Sequence, residues 1–291
     1  MLSVVFVMAC CNKDHDDTGQ KQMTIIVEGT GIIINMLGSG TMTIDWGDGS
    51  VIETHTLSVL GGEYGYTYSE SSTYTVIITG EKITNMSCRG YESQITGLDV
   101  SKNTALIYLR CAGVGISSLD VSKNTKLTEL RCQYNKLTDL DVRKNKDLKI
   151  LDCSDNELTV LDLSKNIALT ELYCVYNQLT SLEVSNNIAL TDLYCYHNVL
   201  TNLDLSKNNA LKYLDCSNNQ LTSLNLSRNN VLEKVYCRSN NLETEALNAL
   251  FGSLCPNENP NSVNKSIGIQ NNPGTGTCNI NIATEKGWEF N

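Results

Sequence analysis

Basic residues, proline, phenylalanine and histidine are all scarce in this chain. Its 22 Lys and Arg residues are outnumbered by 32 Asp and Glu residues, so the formal net charge is −10 at pH 7. Nucleic acid is therefore not an expected partner, because binding to phosphate backbones depends on a surplus of basic side chains. Three histidines offer few candidates for a catalytic base. An apolar content of 41% with 19% charged residues still predicts a folded chain.

The sequence also lacks an apolar run of about 20 residues, the length that is needed to cross a bilayer. A shorter run, 2–9, ends at Cys10 and Cys11 and fits a secretory signal. The string from Val7 to Cys10 resembles a bacterial lipobox, which implies lipidation of Cys10, or of Cys11 if the register differs by one. The acidic stretch 12–17 resembles the tether of Bacteroidota lipoproteins. We expect a lipoprotein signal over 1–10, truncated at its start, and a tether over 11–21; the alternative is a buried N-terminal strand.

Residues 22–80 combine β-branched runs with glycine-rich turns, which is typical of a small β-domain. The WGDG turn at 46–49 and the closing strand at 72–80 together resemble a PKD-like immunoglobulin sandwich. The resemblance implies a spacer or a cap. Asp45 and Asp48 are predicted to form turns, with calcium ligation as the alternative.

Closely spaced cysteines, as zinc ligands require, are absent except for Cys10 next to Cys11. Eight of the twelve cysteines instead follow a period, with one separation of 23 residues and then six of 21. These are Cys88, Cys111, Cys132, Cys153, Cys174, Cys195, Cys216 and Cys237. Such a period indicates stacked supersecondary units that share one core. We therefore predict repeats over residues 81–242.

Each 21-residue unit contains two halves of the form L-x-x-L-x-[CVL]-x-x-N. Alternate side chains of a strand point to opposite faces, so Leu172 and Cys174 are predicted to point inward and Glu171, Tyr173 and Val175 outward. Coils stacked about 4.8 Å apart turn these positions into continuous columns. The predicted fold is mainly β: a parallel β-solenoid of 21-residue repeats between the small β-domain and a short α/β cap.

Two columns have distinct roles. The asparagine of the first half is predicted to satisfy buried backbone groups at the bend, at Asn135, Asn156, Asn177, Asn198, Asn219 and Asn240. The cysteines are predicted to be free, buried thiols, because Cβ atoms near 4.8 Å exceed the roughly 3.5–4.5 Å of a disulfide. A row of metal thiolates is the alternative, and burial of stacked anions disfavours it.

This spacing, with cysteine at the inner strand position, resembles the internalin-type (internalin J-like) cysteine-ladder leucine-rich repeats of bacterial surface proteins. The resemblance covers about 160 residues and implies a curved solenoid that is used in adhesion. The chain departs from it by lacking a cell-wall sorting signal, so a lipid anchor at the other end would replace that attachment.

The two halves of the repeat differ in composition. The second half is nearly a fixed string, and its acidic row (Asp99, Asp120, Asp141, Asp162, Glu183, Asp204) is predicted to pair with lysines three positions further on. The first half varies and carries the tyrosines of the repeat region. Exposed neighbouring aromatics are typical of recognition surfaces; the alternative is that tyrosine merely suits exposed strands. We predict ligand-binding residues at Tyr134, Tyr173, Tyr176, Tyr194, Tyr196, His197, Tyr213 and Tyr236.

The last segment, 243–291, is predicted to cap the solenoid. A helix should begin at Thr244 and end before Pro256, a strand should follow at 266–270, and a short helix should occupy 280–287. Cys255 and Cys278 lie off the period, and the sequence leaves open whether they form a disulfide.

The predicted function is that of a surface-exposed lipoprotein of the outer membrane, which binds an extracellular protein or glycan in the manner of an adhesin. The expected contact with the membrane is an N-terminal lipid anchor. The alternatives are a structural spacer and an accessory protein in glycan capture. No catalytic, metal or cofactor site is expected, since His197 has no nucleophile with a recognisable companion motif.

Overall fold

The computed structural model describes residues 21–90, 92–257 and 264–291. The predicted lipoprotein signal with Cys10 and Cys11 lies outside the described residues, and so does the tether up to residue 20. Within these ranges the strands form one continuous sheet. Among the helices described, none has the length and apolar character that crossing a membrane requires.

The N-terminal part consists of six antiparallel strands. They are β1 (Gln22–Gly38), β2 (Gly40–Asp45), β3 (Glu53–Leu57), β4 (Gly62–Gly80), β5 (Ile83–Gly90) and β6 (Ser93–Asp99). The register of β1 shifts between Gly29 and Gly31, and this break lets β1 pair with β6 before it and with β5 after it. Gly29 has a φ of 137°, and a Cβ there would collide with the backbone of Ser93, so only glycine fits.

Two of the predicted turns around Trp46 are present. The carboxylate of Asp45 accepts a hydrogen bond from the backbone N–H of Gly47, and that of Asp48 accepts one from Ser50, both at 2.9 Å. The turn-forming role of both aspartates is confirmed. The assignment to a PKD-like sandwich and the boundary at residue 80 stay predictions; the structure adds that β5 and β6 continue the antiparallel pairing beyond that boundary.

The repeat region is a stack of short parallel strands, each of three residues. They are β7 (Tyr108–Arg110), β8 (Glu129–Arg131), β9 (Ile150–Asp152), β10 (Glu171–Tyr173), β11 (Asp192–Tyr194), β12 (Tyr213–Asp215) and β13 (Lys234–Tyr236). Neighbouring strands pair at equal repeat positions, so Leu172 lies between Leu151 and Leu193. The predicted parallel solenoid with in-register coils is confirmed.

The cysteine column lies inside this stack. All eight periodic cysteines are free and buried, with side-chain neighbours from the leucine columns. Burial raises the pKa of the Cys88 and Cys237 thiols to about 12, and it raises the pKa of the intervening thiols as well. These thiols therefore stay protonated at neutral pH and behave as small apolar groups, as predicted.

Asparagine satisfies the backbone at the bend, also as predicted. The Asn177 side chain donates to the carbonyls of Cys153 (3.0 Å), Cys174 (3.3 Å) and Val175 (3.2 Å). Its own carbonyl accepts a hydrogen bond from the Leu158 N–H at 3.0 Å. Each such amide thus joins two coils and leaves none of these buried backbone groups without a partner.

The second half of each repeat forms turns, whereas the first half forms a strand. In the second half Asp162 accepts a hydrogen bond from the Ser164 N–H at 2.9 Å and so forms an Asx turn. The predicted pairing with lysines is not found among the ion pairs of the described residues. Asp141 pairs instead with Arg143 at 2.8 Å, and the pKa of Asp120 is lowered first by the hydrogen bond from the Ser122 backbone.

Both ends of the solenoid are covered. β5 pairs in parallel with β7, so the antiparallel part continues directly into the first coil. At the other end β14 (Lys265–Gly268) pairs with β13, and β15 (Trp288–Phe290) pairs with β14. The cap also contains α1 (Thr244–Ser253), a short 3-10 helix (Pro273–Gly276) and α2 (Asn281–Thr284). The predicted helix, strand and second helix are present, the last one shorter than predicted; Cys255 and Cys278 are both free.

Replacing one bend asparagine tests its role. Asn177→Ala removes four hydrogen bonds and leaves buried carbonyls and an N–H without partners, so we expect a loss of about 3 kcal/mol in the free energy of unfolding. Urea unfolding followed by circular dichroism measures it. Asn209→Ala is the control, because Asn209 is exposed in the turn of the second half. Equal stability of the two variants would contradict this role.

Alkylation of the folded chain tests the cysteine column. With iodoacetamide at pH 8 we expect fast labelling of the partly exposed Cys255 and Cys278, and labelling of Cys111 to Cys237 only after denaturation. Peptide mass spectrometry assigns each site. Rapid modification of the periodic cysteines in the folded chain would show that they do not line the interior.

Candidate ligand-binding face

The outward side chains of the first half form one surface along β7 to β13. Side chains two residues apart on a strand share this surface, and side chains 21 residues apart are neighbours across it. We use the term tyrosine face for the part of it that is formed by Tyr134, Tyr173, Tyr176, Tyr194, Tyr196 and His197.

Two stacked rings form the centre of the tyrosine face. The rings of Tyr173 on β10 and Tyr194 on β11 lie 5.0 Å apart between centroids and are inclined by only 6°. The Tyr173 hydroxyl donates a hydrogen bond to Glu171 at 3.1 Å. Partial burial is the main cause of the raised pKa of both phenols, so both hydroxyls stay protonated at neutral pH.

A second group of rings lies at the edge, just after the strands. The rings of Tyr176 and His197 are stacked at 4.1 Å and 11°. Tyr196 packs edge-on against both, at 5.7 Å in each case. Tyr134 and Tyr176 are strongly exposed, at 63% and 47% of their maximum. The predicted residues in these coils therefore form one aromatic surface.

The edge residues occupy an unfavourable backbone position. Residues two positions after each periodic cysteine from Cys111 to Cys237 have positive φ, with values of 61° at Tyr134, 50° at Tyr176 and 54° at His197. The left-handed region costs non-glycine residues free energy, and asparagine or aspartate tolerates it best. Asp155 and Asn218 hold the same position in other coils. Strand propensity therefore does not explain Tyr134 and Tyr176, which lie outside the strands at a position that disfavours them.

Two of the predicted residues lie apart from this surface. Tyr213 donates a hydrogen bond to Glu233 at 2.8 Å, and Lys234 lies 5.8 Å from the centre of its ring. The guanidinium of Arg238 lies 4.9 Å from the ring centre of Tyr236. Among the described residues no ring contact joins either tyrosine to the tyrosine face.

Val175 points outward, as the alternation along the strand predicts, and yet it is only 4% exposed. It lies at the base of a shallow pocket of 310 Å³ that Tyr173, Tyr194 and Tyr196 partly enclose. The bulky neighbouring rings cover the short valine, and this packing between coils is not visible in a single repeat.

Polar residues of the same pocket were also missed. Gln133, Asp152, Ser154 and Asp155 line it together with Tyr134. Burial raises the pKa of Asp155, and the charge of Asp152 raises it further. The register of the columns would have found Asp152 and Ser154, since both occupy the outward positions that Tyr173 and Val175 occupy in the next coil.

A second aromatic cluster, in the N-terminal part, was not predicted. Tyr66 stacks on Trp46 at 4.9 Å, and Tyr68 stacks on Tyr74 at 3.6 Å. The Tyr68 hydroxyl is buried and donates to the carbonyl of Trp46 at 2.9 Å. Tyrosines at alternate positions of β4 were the available signal. Their burial against Trp46 indicates a role in the core of this part.

No protein-family model matches the chain, and no curated protein matches it. Several solved structures, however, are similar to the chain. The functional domain of InlJ from Listeria monocytogenes, which includes a cysteine ladder, is 36% identical with a TM-score of 0.57, over 66% of this chain and 40% of that chain. An internalin (InlF) from Listeria monocytogenes strain 4b F2365 is 20% identical with a TM-score of 0.57, over 68% of this chain and 57% of that one.

A leucine-rich repeat protein from Leptospira interrogans is 20% identical with a TM-score of 0.50, over 66% of this chain and 56% of that one. The chain thus spans 40% to 57% of the length of these three proteins. The last two comparisons show the fold alone. The first adds the cysteine ladder, so internalin-type leucine-rich repeat proteins are the structural neighbours of this chain.

The strained position at the edge gives a test of stability. Tyr134→Asn places a residue that tolerates positive φ where little packing is lost, so we expect the free energy of unfolding to rise by about 0.5–1 kcal/mol. Urea unfolding measures it. Tyr173→Asn is the contrast: it removes the stacked ring from a strand and should destabilise the chain. A decrease in both variants would mean that Tyr134 is held by packing and is not strained.

Proposed function

We propose that this chain is a binding protein that holds a partner protein on the tyrosine face of its leucine-rich repeats, in the manner of an adhesin. The observation that carries the proposal is the backbone conformation at the edge. Tyr134, Tyr176 and His197 occupy left-handed positions where Asn or Asp would be less strained. Such a cost is retained where the side chains serve recognition.

The composition of the surface supports a protein partner. Tyrosine and histidine combine apolar area with a polar tip, and aromatic residues are enriched at the centres of protein interfaces. The rings of Tyr173 and Tyr194 are already stacked on each other, so little side-chain freedom would be lost when a partner binds. No step of this function requires a cofactor, and none of the three structural neighbours is described as an enzyme.

The proposed location follows from the sequence. A lipid on Cys10, or on Cys11, would anchor the chain to the outer membrane, and the acidic tether would direct it to the outer face. The N-terminal β-part, as a PKD-like spacer, would then hold the repeats away from the lipid. Mass spectrometry of the protein from its native membrane tests this: a diacylglyceryl group on the mature N-terminal cysteine is the expected result.

A glycan is the second candidate ligand, and one observation favours it. The exposed rings of the tyrosine face, Tyr134 above all, offer aromatic surface of the kind on which a sugar ring packs. The alternative of a plain spacer has no use for exposed aromatics on a strained backbone.

An array of extracellular proteins and glycans separates these functions. We expect the triple variant Tyr173→Ala, Tyr194→Ala, Tyr196→Ala to lose at least about 2 kcal/mol of binding free energy, roughly a thirtyfold change in Kd, because truncating central aromatics removes the main contacts. The matched control truncates three exposed apolar residues elsewhere, Val160→Ala, Ile167→Ala and Ile188→Ala.

Thermal unfolding of both triple variants completes the comparison and shows that each is folded. Equal binding by the two variants would refute the tyrosine face. Failure of the unmodified chain to bind any protein or glycan would favour the spacer.

A further inference from the structure

The pocket on the tyrosine face has aromatic walls. Tyr134, Tyr173, Tyr194 and Tyr196 contribute to its lining, and Val175 closes its base. Its volume of 310 Å³ is at the lower end of the range of small-ligand sites, so it suits one side chain better than an extended ligand. The faces of tyrosine rings carry partial negative charge and attract cations.

Two carboxylates, of Asp152 and Asp155, add negative charge to the same pocket. The backbone N–H of Ser154 donates to Asp152 at 3.2 Å, whereas the Asp155 carboxylate has no hydrogen bond or ion pair among the described residues. Arg131 lies beside Asp152 in the sheet, but it donates its hydrogen bond to Glu129. Asp155 and Tyr196 line the same pocket. The pocket therefore contains a carboxylate without a counter-ion.

A hydrogen-bond acceptor without a partner, in the side chain of Gln133, also favours a ligand that donates hydrogen bonds. The side-chain carbonyl oxygen of Gln133 is buried and has no hydrogen-bond partner among the described residues, and Gln133 lines the pocket. A buried polar atom without a partner costs free energy until a donor reaches it. The pocket thus offers two carboxylates and aromatic faces, and a positively charged donor of several hydrogen bonds matches both.

From these features we infer that the pocket receives one basic side chain, an arginine or lysine, of the partner protein. A guanidinium group stacks on tyrosine faces and donates hydrogen bonds to carboxylates in a planar fork. A neutral sugar would satisfy the acceptors but would leave the carboxylate charges unpaired in a partly desolvated site. The inference rests on the proposed function, because the pocket is part of the tyrosine face.

Short probes test the pocket without the partner. The full chain is titrated with acetyl-glycyl-arginyl-glycinamide, with its lysine counterpart, and with the citrulline analogue, which has nearly the shape of arginine but no charge. Saturation-transfer NMR reports binding of each. We expect a signal from the arginine or lysine probe, and a signal at least about fivefold weaker from citrulline. Methyl β-glucoside serves as the sugar probe.

One variant removes the charge and keeps the fold. Asp155→Asn is compatible with the positive φ, because Asn218 holds the same position in another coil. We expect it to weaken binding of the basic probes about fivefold. Asp162→Asn is the matched control, since it also removes one negative charge and Asn225 makes the same turn in another repeat. Both variants are compared in thermal unfolding.

Three results would overturn the inference: equal binding of arginine and citrulline, equal binding by the Asp155 and Asp162 variants, or binding of the glucoside alone. None of them affects the proposed function, which depends on the triple tyrosine variant in the array. Conversely, the basic probes could bind to the pocket while the triple tyrosine variant binds its array partner as well as the unmodified chain does. That result would uphold the pocket and refute the proposed function.

Discussion

The solenoid depends on asparagine side chains whose amides bond to the backbone of neighbouring coils, one at the bend after the strand and one in the second half of each coil. The bend after each short strand buries backbone carbonyls and N–H groups that have no strand partner, and the asparagine side chain bonds to them from both sides. Because its donors reach two successive coils, the same amide fixes how one coil lies on the next. The register of the leucine and cysteine columns follows, and so do the positions of the outward residues.

The bend that asparagine stabilises also creates the strained edge. To turn after the strand, the residue two positions past each cysteine adopts positive φ, whatever side chain it carries. Where that residue is Asn or Asp, the cost is small; where it is tyrosine or histidine, the chain accepts the cost and gains a projecting ring. The tyrosine and histidine rings at the edge therefore project from the outward position that strains the backbone most, beside the stacked rings of the neighbouring strands.

Much of this arrangement is predictable from the sequence, because a 21-residue period places residues that are 21 positions apart next to each other in neighbouring coils. Inward Leu172 and Cys174, the free thiols and the bonding of Asn177 all follow from that one step. The turns of the second half could not be predicted in the same way, since its leucine spacing matches that of the first half. The burial of Val175 and the convergence of Gln133 and Asp155 in one pocket could not be predicted, because these residues come from different coils and their burial depends on the volumes of neighbouring side chains.

The direct pairing of β5 with β7 has a consequence for self-assembly. A parallel stack of identical coils presents unpaired backbone at its first and last strand, and such edges invite the ends of two molecules to join. Here the strand of the first coil, β7, already pairs with β5 of the antiparallel N-terminal part. The last coil of a second molecule therefore finds no free strand edge at that end. A filament of stacked repeats needs a free strand edge at both ends of the repeat region, and the pairing of β5 with β7 leaves none at the first coil.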